Sequence, residues 1–122
     1  MSLKLSILVV DDEPQLRKSL ASILVSALPD YEIQITEAEN GRVAVDKTAE
    51  EQFDLVLMDV RMPEIDGLEA LRMIKDQDPR TFVVIMTAHS NLQDAVNAIK
   101  HGAFDYTEKP IDPEKLVRLV KK

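Results

Sequence analysis

No cysteine occurs among the 122 residues, which removes any disulfide framework and any thiolate ligand for a soft metal. Histidine is nearly as scarce. His89 and His101 lie on either side of a helical segment and do not converge by spacing, so a zinc site fails on ligand count. No apolar run approaches the roughly 20 residues that would cross a bilayer. The opening MSLKLSILVV also lacks the longer apolar stretch and small-residue cleavage site of a secretory signal. These features favour the cytoplasm. Cations are short as well: 15 Lys and Arg stand against 22 Asp and Glu, a net charge of -7. That balance argues against direct contact with nucleic acid, where affinity comes largely from basic side chains neutralising phosphates. Met1, Ser2 and Leu3 resemble an expression scar and are set aside from the fold argument.

What is present is a regular alternation. Five short apolar or β-branched runs occur, at Leu5 to Val10, Tyr31 to Thr36, Asp54 to Met58, Phe82 to Met86 and Ala103 to Thr107. Helical patterns fill the gaps. Leu16, Leu20, Ile23, Leu24 and Ala27 recur at steps of three and four after Pro14, which suits a first turn. Cap signals open later segments at Asn40, at Asp66 with Glu69, at Ser90 with Gln93 and at Asp112 before Pro113, while Gly102 suits a helix C-terminus. Strands alternating with helices need crossover connections, so the fold class is α/β, with a parallel sheet covered on both faces. ILVV, LVLM and FVVIM are continuous apolar runs and read as central strands, whereas YEIQIT alternates as an edge strand does.

Ligands on such sheets bind outside the carboxyl ends of the strands. Polar residues sit there in four places: Asp11 and Asp12, Asp59, Thr87, and Lys109. Each has a plain structural account. The acidic stretch of Asp11, Asp12 and Glu13 suits the positive end of a helix, Asp59 suits a turn, Thr87 a strand end, and Lys109 a solvated turn before Pro110. Together they are harder to dismiss. Two carboxylates about 4 Å apart repel by about 4 kcal/mol at an effective dielectric near 20, so a cation or a proton must relieve the pair. Magnesium favours such hard oxygen ligands and leaves room for a phosphate, and the Lys109 ammonium is a point charge suited to a phosphoryl group. The set suits a magnesium-assisted phosphoryl acceptor.

The stretches ILVVDDEP at 7 to 14, FDLVLMDVRMPEIDGLEAL at 53 to 71, VVIMTAHS at 83 to 90 and GAFDYTEKPID at 102 to 112 closely resemble the receiver domains of two-component response regulators. The resemblance implies a flavodoxin-like, CheY-like fold: a doubly wound five-stranded parallel sheet in the order 2-1-3-4-5 with five helices. It implies one receiver domain over residues 4–122, excised from a longer regulator. By match, Asp59 is the phosphoacceptor and also a Mg2+ ligand, Asp12 is a direct Mg2+ ligand, Asp11 an indirect one, and the Arg61 main-chain carbonyl a further ligand. Lys109 contacts the phosphoryl group. Thr87 hydrogen-bonds it and forms a switch pair with Tyr106, and the bond before Pro110 is cis.

MTAHSNLQDAVNAIKHGAFDYTEKPID further resembles receivers of NtrC-type transcription activators. That resemblance implies an output of an AAA+ ATPase and a DNA-binding domain, a sensor histidine kinase as phosphoryl donor, and a homodimer formed on phosphorylation. Arg61 and His89, each two residues beyond a site position, are expected to tune dephosphorylation. The expected role is a signalling phosphoacceptor that assists its own phosphorylation and dephosphorylation. Three rivals are weaker. A phosphohydrolase needs a general acid or base that the sequence does not offer beside Asp59. A binding-only pseudo-receiver leaves the intact polar set unexplained. An FMN protein needs a phosphate loop where DDEP would repel the cofactor.

Overall fold

The structure is a computed structural model that describes residues 3–60, 66–87, 92–109 and 111–121. Strands β1 (Leu3–Val10), β2 (Tyr31–Ala38), β3 (Leu55–Asp59), β4 (Phe82–Thr87) and β5 (Asp105–Glu108) alternate with helices. These are α1 (Pro14–Ala27), α2 (Gly41–Glu50), α3 (Gly67–Gln77), α4 (Leu92–Lys100) and α5 (Pro113–Lys121). All strand pairings are parallel, and the order is β2-β1-β3-β4-β5. The expected fold class is therefore observed, with β2 at an edge.

The continuous apolar runs have a physical meaning in this arrangement. Successive side chains of a strand point to opposite faces, so a strand buried on both sides needs apolar residues at every position. Leu8, Val10, Val56, Met58, Val83 and Ile85 face α2, α3 and α4, where Ala44, Leu71, Ile74 and Ala98 meet them. Their neighbours Ile7, Val9, Leu55, Leu57, Val84 and Met86 face α1 and α5, against Leu20, Leu24 and Leu116. Two apolar layers thus clamp the sheet between its helices.

The caps follow local chemistry. Asn40 accepts from the Val43 amide at 2.9 Å, and Asp66 from the Glu69 amide at 3.0 Å. Gly102, at φ 100°, closes α4: its amide donates to Ile99 O and the Ala103 amide to Ala98 O, a Schellman pair. The Asp112 carboxylate accepts from the Glu114 amide at the start of α5. Among the sequence expectations, the Ser90 cap and the bond before Pro110 lie outside the described residues.

Boundaries moved at all five strands: β2 runs on to Ala38, β4 takes in Thr87, and the other three shift as well. Leu3, set aside with Met1 and Ser2, instead pairs with Tyr31 and begins β1. Asp59 is the last residue of β3 rather than the residue after it, and β5 begins at Asp105 rather than Ala103. In the last case Ala103 belongs to the Schellman closure of α4, a local hydrogen-bond pattern that an apolar run does not reveal.

Candidate functional site

The parallel order brings the ends of β1 and β3 side by side, which places Asp11, one residue beyond β1, next to Asp59. Both are buried. Thr87 ends β4, the next strand, and is buried as well. Lys109 follows β5, two strands from Asp59, and its amide donates to the Thr87 carbonyl at 2.7 Å. From that anchor the long side chain crosses the sheet edge, and Nζ donates to Asp11 Oδ2 and Asp59 Oδ2, each at 2.9 Å.

This ammonium answers the repulsion expected between the carboxylates. Burial penalises the Lys109 charge, but the hydrogen bonds to Asp11 and Asp59 and their negative charges outweigh that penalty and hold its pKa above the ordinary lysine value. The counter-charge is thus supplied by the chain itself. A divalent ion would join a site with a built-in cation already spanning two of its carboxylates.

Asp11 is occupied at both oxygens, because Oδ1 accepts from the Glu13 amide at 2.9 Å while Oδ2 accepts from Lys109. Asp12, by contrast, is exposed at the rim. One carboxylate oxygen from each of Asp11, Asp12 and Glu13 falls within a single 4.8 Å grouping. These all-oxygen donors fit a hard divalent cation, which prefers carboxylate and water ligands. Glu13 was credited by sequence with nothing beyond a helix-end role.

The structure brings Asp11, Asp59 and Lys109 into direct contact and places Thr87 and Asp12 beside them on the same edge. Tyr106 lies opposite Ile85 in the β4–β5 register, half-buried against the face that carries α4. Arg61 and His89 lie outside the described residues.

Two contributors were not singled out from sequence. Gly67 opens α3 hard against the end of β3: its amide donates to Val60 O at 2.8 Å, and an added Cβ would overlap the Asp59 carbonyl oxygen and sit 2.7 Å from Val60 Cα. A glycine directly after the N-cap Asp66 was the available signal. Arg17, in the first turns of α1, reaches back so that Nη1 donates to the Asp11 carbonyl at 2.7 Å. Its place on the polar side of an amphipathic helix concealed that contact.

No helix among the described residues is long and apolar enough to cross a membrane. Residues 7–121 match the response regulator receiver domain family. The regulatory protein AtoC of Escherichia coli K12 is 42% identical over 95% of this chain, and the match covers 24% of AtoC. The DNA-binding transcriptional regulator NtrC of the same strain is 42% identical over 93% of this chain and 24% of its own length. This chain therefore spans about a quarter of the length of these relatives. Among solved structures, the beryllofluoride-activated NtrC4 receiver domain dimer superposes with a TM-score of 0.83 at 35% identity, covering 95% of this chain and 93% of that one. With the 2-1-3-4-5 sheet and the acidic edge in place, the chain belongs to the receiver domains of two-component response regulators.

Proposed function

We propose that this domain accepts a phosphoryl group on Asp59 from a phosphohistidine of a sensor histidine kinase. The observation that carries the reading is Lys109 Nζ at 2.9 Å from both Asp59 and Asp11, in an edge rich in carboxylates. A carboxylate oxygen of Asp59 forms the new P–O bond as the P–N bond of the donor breaks, leaving an acyl phosphate. Lys109 is placed to hold the incoming phosphoryl oxygens, and the Thr87 hydroxyl lies at the adjacent strand end. Bound Mg2+ would supply further neutralisation of phosphoryl charge. Asp12 is its direct ligand in this reading, which its exposure supports, and Asp11 assists through water, consistent with both its oxygens being hydrogen-bonded. The Asp59 carboxylate and the Arg61 main-chain carbonyl complete the proposed set.

Phosphorylation would draw Thr87 towards the phosphate and Tyr106 inward, shifting a pre-existing equilibrium of the α4–β5 face. A homodimer formed through phosphorylation is supported by the NtrC4 receiver, which is a dimer in its beryllofluoride-activated state. Arg61 and His89 would set the lifetime of the acyl phosphate, the domain assisting its own dephosphorylation. The relatives, four times longer than this chain, support a cytoplasmic regulator in which residues 4–122 control a transcriptional output, an AAA+ ATPase with a DNA-binding domain.

The test is intact mass after incubation with acetyl phosphate and Mg2+. One added phosphoryl group is expected in the unaltered protein, and none with EDTA or in Asp59→Asn. An adduct that survives in Asp59→Asn, or no adduct even with a phosphorylated histidine kinase, overturns the reading.

A further inference from the structure

Arg17 breaks a local rule. It lies in the first turns of α1, with its amide donating to the Glu13 carbonyl at 3.2 Å, and helix N-termini disfavour cations because the macrodipole is positive there. The guanidinium is also largely buried, its side chain 14% exposed. A buried cation at the wrong end of a helix requires compensation, and two acceptors provide it. Nε donates to Glu37 Oε1 on β2 at 2.8 Å, and Nη1 to the Asp11 carbonyl at 2.7 Å. Residues that violate a local preference while holding specific partners are the ones to examine for function.

The consequence falls on Asp12. The peptide preceding Asp12 carries the Asp11 carbonyl, which Arg17 holds. The peptide following it carries the Glu13 amide, which the Asp11 carboxylate holds. One residue further back, the Asp11 amide donates to the Ala38 carbonyl at the end of β2 at 3.1 Å. Both peptide planes flanking Asp12 are therefore fixed, although its own carboxylate stands exposed at the rim. Mg2+ demands near-ideal octahedral geometry, so a ligand on an exposed side chain is useful in proportion to how firmly its backbone is set.

We propose that Arg17, oriented by Glu37, is a positioning residue for divalent-metal binding: its fork fixes the Asp11–Asp12 peptide and so aims the Asp12 carboxylate. The inference rests on the acidic loop being the Mg2+ site of the proposed function. It makes a prediction opposite in sign to simple electrostatics. Deleting a positive charge beside an acidic loop should strengthen cation binding by charge alone, whereas deleting a positioning group should weaken it. Partners that orient metal ligands are worth about ten- to a hundredfold in metal affinity. Arginine and lysine also differ here, since one ammonium lacks the rigid fork that serves Glu37 and Asp11 together.

The experiment is a calorimetric titration with Mg2+ alone, paired with amide NMR shifts of Asp11, Asp12 and Glu13, on the unaltered protein, Arg17→Gln, Arg17→Lys and Asp12→Asn. Arg17→Gln is expected to weaken Mg2+ binding about tenfold. Arg17→Lys, which keeps the charge and the fold, is expected to show a smaller loss in the same direction. Unchanged or tighter binding in either folded variant, with Asp12→Asn still abolishing it, overturns the role of Arg17 and leaves the phosphoacceptor reading intact. No Mg2+ uptake at these amides in the unaltered protein overturns both.

Discussion

The two ends of the sheet carry ion pairs of similar composition and opposite character. At the carboxyl ends, Lys109 bridges two buried carboxylates, with its own side chain 24% exposed. At the amino ends, in the connection between α3 and β4, Arg80 Nε meets Asp78 Oδ1 at 3.1 Å with the arginine 82% exposed. The exposed pair is local: Arg80 lies two residues from Asp78, whose carboxylate also accepts from the Arg80 amide. The buried set joins residues 50 and 98 positions apart and links strand ends across the sheet. Water screens the first and is mostly excluded from the second, so equal chemistry does unequal work. The lesson is that the buried set cannot lose a member cheaply, which suits it to sensing an added charge.

Removing Lys109 should break that contrast most severely. Lys109→Met removes the shared counter-charge of Asp11 and Asp59, at an expected cost of about 3 kcal/mol, the lower end for breaking a buried pair because part of the lysine meets water. Denaturant unfolding measures it, and added Mg2+ should stabilise the variant more than the unaltered protein. The pH dependence has a definite sign. Folding raises the Lys109 pKa above 10.5, so its contribution is complete below that pH and is lost as pH rises through the higher folded value. The stability gap between the two proteins should therefore narrow above pH 10.5.

Gly67→Ala sharpens the comparison through the backbone. The new Cβ meets main-chain atoms of Asp59 and Val60, which cannot rotate aside, so a loss of about 2 kcal/mol is expected from overpacking. Phosphoryl transfer from acetyl phosphate should slow with it, because the displaced strand end carries Asp59. Retained stability with full transfer would show that the β3–α3 junction yields without disturbing the site.

The smallest effect belongs to the exposed end. Arg80 holds the Asp78 carboxyl below its usual 3.8 chiefly by a side-chain hydrogen bond, so the pair contributes above that pH and fades as pH falls through the lower folded value. Arg80→Ala should leave the thermal midpoint at neutral pH within replicate scatter. A clear drop would mean that the two ends of the sheet are less different than their exposure implies.

Much of this was legible in sequence for a physical reason. A strand buried on both faces must be apolar at every position, so ILVV, LVLM and FVVIM announced central parallel strands, and alternation in YEIQIT announced an edge. Polar residues directly after such runs fall at the carboxyl edge by topology alone, which is how Asp11, Asp59, Thr87 and Lys109 could be grouped. Glu37 and Arg17 were hidden, because their pairing depends on the β1–β2 register and on how α1 packs. Gly67 was hidden because a close approach of two backbones leaves little trace in composition.

The sequence by itself determined the alternating α/β architecture, the strand that lies at the edge and the residue types gathered at the site, since these follow from local periodicity and from where polarity interrupts it. The tertiary structure decided what those residues do to one another. It set Lys109 as the counter-ion of two carboxylates, buried Asp11 while leaving Asp12 exposed, and tied the Asp11 carbonyl to Arg17. Such relations depend on distances between segments far apart in the chain, and distance, through burial and screening, is what converts a list of charges into a site.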